Sequence, residues 1–249
     1  MVRFSISQIR QITFKKENNI WNVFFTEPIA LRVLWVVGNF LPFIGPTLLN
    51  FLGLFFTLLS GWLFFKGSLI AAALIYEFGF LFDTWDGKLA RLQGVANSWG
   101  GFLDHVIDSF RPSVLSFPLG VYFYLQTNDF WFIVLAGAYP VVISLYQDFC
   151  ATGFVSNKGK QVTTLMGEQD SKSLLIRIKK VLQKYRLRAG YTSDETNTIV
   201  FLFCPILSAV FSDAAFVFWG FILGIALMVL LIIIFLYFQL GQLRKEMGR

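Results

Sequence analysis

The run Asp83-Thr84-Trp85-Asp86-Gly87-Lys88-Leu89-Ala90-Arg91, followed by Gly100-Gly101-Phe102-Leu103-Asp104-His105-Val106-Ile107-Asp108, sets four carboxylates in two stretches otherwise apolar enough to cross a bilayer. A charge at mid-bilayer costs roughly 2.5–3.5 kcal/mol on insertion scales. Four together also repel one another, and a divalent cation with water is the natural compensation. Asp83 and Asp86 are three residues apart, and Asp104 and Asp108 are four apart, so each pair shares one face of its helix. A turn between the helices lets them run antiparallel and brings all four acids to a similar depth. Gly87, Ala90 and Gly100 share that face and leave room beside a metal; glycine also lets a ligand approach the backbone. Arg91 follows at the rim, where its guanidinium suits phosphate oxygens.

Composition agrees with a lipid-facing chain. Of 249 residues 56% are hydrophobic, 30 are Phe and only 14% are charged, against about 25% charged in soluble domains. The length suits one helical bundle. Cys150 and Cys204 have neither metal-ligand spacing nor a disulfide framework and read as small apolar packing residues. Residues 1–22 are polar and basic, without the compact apolar core of a cleavable signal peptide, so none is expected.

A spanning helix needs about 20 apolar residues. Six stretches qualify: Thr47–Phe65, Ser68–Leu89, Gly100–Leu125, Phe130–Phe154, the short Asn197–Phe211, and Ala215–Leu240. Very short loops join the first to the second and the fifth to the sixth, which predicts helical hairpins. With six spans, only Lys66 of the 21 Lys and Arg residues falls near a non-cytoplasmic loop. The positive-inside asymmetry therefore puts both termini in the cytoplasm. It also assigns the net charge of +6 to anionic lipid and topology rather than to nucleic acid.

The expected fold class is thus all-α integral membrane. Residues 1–45 form an N-terminal cytoplasmic interfacial amphipathic segment, and 46–249 a six-helix membrane domain with a cytoplasmic loop over 156–195. In the first segment Ile9, Ile12, Ile20, Val23 and Phe24 alternate with Arg10, Lys15, Lys16 and Glu17. The stretch Pro28–Leu41 carries Arg32 and is too short to span, so one or two interfacial helices are expected; a helix that merely covers the bundle fits equally. In the loop, Leu174, Leu175, Ile178, Val181 and Leu182 are helically spaced among many Lys and Arg. This predicts a basic amphipathic helix on an anionic leaflet, or a binder of an anionic substrate.

The acidic run resembles the CDP-alcohol phosphotransferase family. It matches D-x2-D-G-x2-A-R-x8-G-x3-D-x3-D at all eight fixed positions, from Asp83 to Asp108. Pro46, Asn50 and Gly53 loosely resemble the opening of that family's first span, with Thr47 where Asn is usual and Asn50 where Thr is usual. The resemblance implies that Asp83, Asp86 and Asp104 bind one or two divalent ions, Mg2+ or Mn2+. It makes Asp108 the general base toward an acceptor hydroxyl, in reach of metal as well. It implies that Gly87, Ala90 and Gly100 form the floor under a cytidine and that Arg91 steadies the nucleotide. It also implies a homodimer, with a CDP-linked donor and an alcohol acceptor as partners alongside membrane lipid.

His105 points partly away from the carboxylate face and reads as a polar interfacial residue. Its context, however, resembles the Asp-His segment of choline and ethanolamine phosphotransferases, which implies a catalytic part. Arg111 stands where it would bind acceptor or donor phosphate, or snorkel to the interface. Glu77 suggests a structural or dimer-interface role, Asp148 the frame of an acceptor pocket, and Glu195 either that frame or a helix N-terminus that favours an acid.

The expected activity is metal-dependent transfer of a phosphatidyl group from CDP-diacylglycerol to a small polar alcohol, releasing CMP, with the site open to the cytoplasm, in a bacterial inner membrane. The alternative within the class moves a phospho-headgroup from a soluble CDP-alcohol to a lipid hydroxyl. A structural ion site, or a metal transporter or channel, would use the same acids but leaves Gly87, Ala90, Arg91 and Gly100 unexplained at their spacing.

Overall fold

The computed structural model describes residues 4–15, 18–151, 185–186 and 192–247. Every regular element among them is helical: α1 (Ile6–Thr13), α2 (Asn22–Phe40), α3 (Pro46–Phe65), α4 (Leu69–Gln93), α5 (Ser98–Thr127), α6 (Trp131–Ala151), α7 (Ser193–Phe211) and α8 (Ala215–Met247). The amphipathic helix expected over 171–187 lies outside the described residues, apart from Tyr185 and Arg186.

Five of these helices hold stretches long and apolar enough to cross a membrane: Asn22–Phe40, Pro46–Phe65, Trp131–Phe149, Ser193–Phe211 and Ala215–Tyr237. The first is the segment read from sequence as interfacial. The carboxylate helices α4 and α5, at 25 and 30 residues, exceed the length that a span requires but carry the acids. On α3 the exposed large apolar side chains are Leu48, Phe51, Phe55, Leu58, Trp62 and Phe65. Their alternating three- and four-residue spacing draws an apolar stripe on the outer face, the pattern of a surface turned to lipid rather than water.

Both α2 and α7 begin earlier than the sequence suggested, and both pass through a proline. Asn22–Thr26 is a π-helical turn that ends two residues before Pro28, and Ile199–Phe203 is another that ends two residues before Pro205. A proline inside an α-helix clashes with the carbonyl four residues back and gives it no N–H. The wide turn shifts bonding to i→i−5, as from Glu27 N to Asn22 O and from Cys204 N to Ile199 O, so the helix passes through the proline.

Glycines fix the turns that position the acids. Gly67 (φ +77°) closes the α3–α4 hairpin, with Ser68 N bonded to Leu63 O at 3.0 Å. Gly94 (φ +70°) ends α4, with Val95 N bonded to Ala90 O at 3.0 Å. This left-handed conformation suits glycine, which has no Cβ to clash. Asn97 then starts α5, its side chain accepting from Gly100 N at 2.8 Å. The two acidic pairs thus lie within about two to three helical turns of one tight connection.

Small residues set the helix spacing, as is usual in membrane bundles. Gly53 faces Gly79 between α3 and α4, Gly61 faces Val114 of α5, and Gly220 faces Cys204. Cys204 is free and buried, a packing residue as expected. Gly120 of α5 is the tightest: an added Cβ would lie 2.4 Å from Ala136 Cβ and 2.8 Å from Phe132 O. Gly120→Ala is therefore expected to lower stability by about 1–3 kcal/mol, the usual range for overpacking. Gly101→Ala, whose Cβ meets nothing within 4 Å, is expected to leave it unchanged; thermal unfolding in detergent checks both.

The core has two parts. One, around Tyr76, Leu115, Leu119, Tyr139, Phe201 and Phe221, joins α3 to α8. The other packs Ile9, Ala30, Leu34 and Val37 of α1 and α2 on Leu81, Trp85, Leu89 and Leu92 of α4. Asp83 and Asp86 of α4 fall in the stretch covered by the second part.

Candidate active site

Asp83 of α4 and Asp104 and Asp108 of α5 each offer a carboxylate oxygen within 4.8 Å of the other two. The i,i+3 and i,i+4 spacing predicts four facing carboxylates, and three of them meet. Arg111, one turn beyond Asp108 and buried, bridges two of them. Its Nη2 donates to Asp83 Oδ1 at 2.6 Å and its Nη1 to Asp108 Oδ1 at 2.9 Å. The guanidinium that sequence left between phosphate binding and snorkelling is thus committed to the acids. It offsets their repulsion and fixes their rotamers.

Asp86 turns elsewhere. Three residues on from Asp83 it is rotated about 60° around the helix, toward α3. There its Oδ2 accepts from Asn50 Nδ2 at 2.8 Å, and its Oδ1 accepts from Gly87 N. Among the described residues, the buried Asn50 Oδ1 has no hydrogen-bond partner.

Two cavities flank this group. The larger, about 420 Å³, lies between α3, α4 and α5 and is lined by Asn50, Asp86, Gly87, Ala90, Arg91, Gly100 and Asp104 among others. Every residue assigned to the nucleotide floor is there. Among the described residues, a Cβ on Gly87 would meet only Arg91 Nη1 at 3.8 Å, and one on Gly100 only Asn97 Oδ1 at 3.5 Å. Protein packing does not require glycine at either position, and the space they leave belongs to the cavity. The smaller cavity, about 210 Å³, is lined by Asp83, Asp86, Gly87, Lys88, Arg91 and Asp104 together with residues of the N-terminal segment and Asp194.

His105 does not join the carboxylates. It is exposed, with Nε2 3.5 Å from Asp148 Oδ1 of α6. Glu77 is buried and accepts from Trp21 Nε1 at 2.9 Å, inside the fold rather than on an outer face. Glu195 completes a capping box with Thr192 at the start of α7 and also accepts from Ile20 N at 3.2 Å. Its neighbour Asp194 is the acid that sequence reasoning passed over. It accepts from Asn19 Nδ2 at 2.8 Å and stands in the smaller cavity with Asp83 and Asp104.

The donor set suits a hard divalent cation. Three carboxylates converge, and Arg111 engages only the Oδ1 atoms of two of them. Oxygen ligands of this kind favour magnesium or manganese over softer metals.

Residues 43–243 match the model of the CDP-alcohol phosphatidyltransferase family, and the chain belongs to that family. It is an integral membrane protein. Archaetidylinositol phosphate synthase of Pyrococcus horikoshii is 33% identical over 119 residues, which cover 47% of this chain and 63% of that relative. A protein of Aquifex aeolicus described as uncharacterized is 34% identical over 80 residues, covering 32% of this chain and 41% of the relative. The chain thus matches less than two thirds of the length of either.

Proposed function

We propose that the protein transfers a phosphatidyl group from a CDP-linked lipid to a small polar alcohol, with release of CMP. The observation that carries this reading is the convergence of Asp83, Asp104 and Asp108 beside a cavity floored by Gly87, Ala90 and Gly100. Family membership supports it, and so does the name of the Pyrococcus relative, which points to a lipid donor and an inositol-phosphate headgroup. His105 turns toward Asp148 and away from the acids, which favours this reading over headgroup transfer from a soluble CDP-alcohol.

Asp83, Asp104 and Asp108 would hold the divalent ion, with Asp86 beside them. When bound, that ion neutralises charge on the pyrophosphate and on the departing CMP. The nucleotide occupies the larger cavity, with Arg91 at its phosphates. Asp108 takes the proton of the acceptor hydroxyl. The alcohol oxygen bonds to the lipid-bearing phosphorus, the bond from that phosphorus to the oxygen of CMP breaks, and CMP leaves with that electron pair. Arg111 keeps Asp108 aimed.

For topology, α3 to α8 are the six spans, and α1 and α2 lie at the cytoplasmic interface over the C-terminal end of α4. The packing of α1 and α2 on Leu81 to Leu92 alone supports that position. Purified protein in lipid, given CDP-diacylglycerol, small alcohols and Mg2+, is expected to release CMP and to stop in excess EDTA. CMP release undiminished by EDTA would remove the metal from the scheme.

A further inference from the structure

The N-terminal residues lie outside the family match, which begins at residue 43, yet Thr13, Lys15, Asn18 and Asn22 form one wall of the smaller cavity. That wall is built. Arg91 Nη2 donates to Thr13 O at 2.9 Å, and Arg186 Nη2 to Lys15 O at 2.6 Å. Asn18 N donates to Arg186 O at 3.0 Å, and Arg186 is itself paired with Glu27 at 2.8 Å. Asn19 ties the same strip to Asp194. The backbone around Lys15 is clamped, while its ammonium makes no ion pair among the described residues.

We infer that the smaller cavity is the acceptor site, and that Lys15 selects a small polyhydroxy alcohol carrying an anionic phosphate group. This rests on the phosphatidyl-transfer reading above. The two cavities share Asp86, Gly87, Arg91 and Asp104, so the reacting phosphorus lies where they meet. The nucleotide fills the larger cavity, whose lining excludes Lys15, Asn18, Asn22 and Asp194. What reaches into the smaller one from the reacting phosphorus is the incoming alcohol. At about 210 Å³ and with polar walls, it is too small and too wet for a diacylglycerol. Asp194 accepts hydrogen bonds from hydroxyls, and Asn18 and Asn22 can give or accept them. Asp83 and Asp104 line the same space, and Asp108 lies within 4.8 Å of both, so a hydroxyl held there is within reach of the base. A phosphate at the far end of the alcohol meets Lys15, where charge-assisted hydrogen bonding is strong.

The test uses the full chain in lipid with CDP-diacylglycerol and four acceptors: glycerol phosphate, inositol phosphate, and the two unphosphorylated alcohols. Wild type is expected to prefer a phosphorylated acceptor. Lys15→Gln is expected to raise the KM for that acceptor by about 10- to 10²-fold, the loss of one charge-assisted bond, with donor KM and kcat changed less than about twofold, well below that range. Lys15→Arg restores most of the difference. Calorimetric binding of the phosphorylated alcohol to Mg2+-loaded protein without donor should weaken in parallel. A rise in donor KM instead, or unchanged kinetics in Lys15→Gln, overturns the acceptor assignment while leaving the transfer reading intact. No CMP from wild type with any acceptor defeats both.

Discussion

Asp108→Asn is expected to lower kcat by about 10²- to 10⁴-fold, the range contributed by a positioned general base. Asparagine keeps the shape of the side chain and can still face Arg111, so the fold should survive. What is lost is the group proposed to take the hydroxyl proton. Binding of a CDP-linked donor should weaken far less than kcat falls, because Asp108 does not line the larger cavity and Asp83 and Asp104 remain to hold the ion. Steady-state kinetics with donor and acceptor varied separately checks this. Turnover within tenfold of wild type would show that Asp108 is not the base.

The second large effect falls on stability. Arg111 is the protein's own counter-charge to Asp83 and Asp108, at 2.6 and 2.9 Å, and it is buried. Removing one partner of a buried ion pair typically costs about 3–5 kcal/mol, because the remaining charge is stranded. In Arg111→Met two carboxylates lose that partner at once. The variant is expected to be destabilised by about that amount in EDTA, and Mg2+ should recover part of the loss by supplying positive charge to the same oxygens. Thermal unfolding in detergent with and without Mg2+ measures it. Equal stability of variant and wild type in EDTA would mean that the bridge carries no weight.

Much of this site was legible in the sequence because it is local. Asp83, Asp86, Asp104 and Asp108 lie on two consecutive helices, so helical spacing and one short connection suffice to bring them together. The same locality placed Gly87, Ala90, Arg91 and Gly100 on one cavity wall. Spacing was too coarse for Asp86, whose 60° offset sends it to Asn50 rather than into the group of three. Asp194 was missed because its meaning depends on Asn19, 175 residues away. In the sequence it stands in a run that reads as a helix N-terminus, and Glu195 indeed completes the capping box with Thr192 there. The length of α2 was underestimated because the apolar stretch was taken to begin at Pro28, and that of α7 because its polar first turn carries Asp194 and Glu195. The π-helical turns at Asn22–Thr26 and Ile199–Phe203 leave no mark in hydropathy.

On the proposed reading, this chain moves the lipid-bearing phosphorus of a CDP-linked donor onto an alcohol. CDP-diacylglycerol labelled at that phosphorus, incubated with the protein, Mg2+ and a phosphorylated polyol, follows that transfer atom by atom. The label is expected in a new lipid phosphodiester, with unlabelled CMP in the aqueous phase and neither product formed by Asp108→Asn. Label released with the nucleotide, or retained in the donor while every acceptor goes unused, would contradict it.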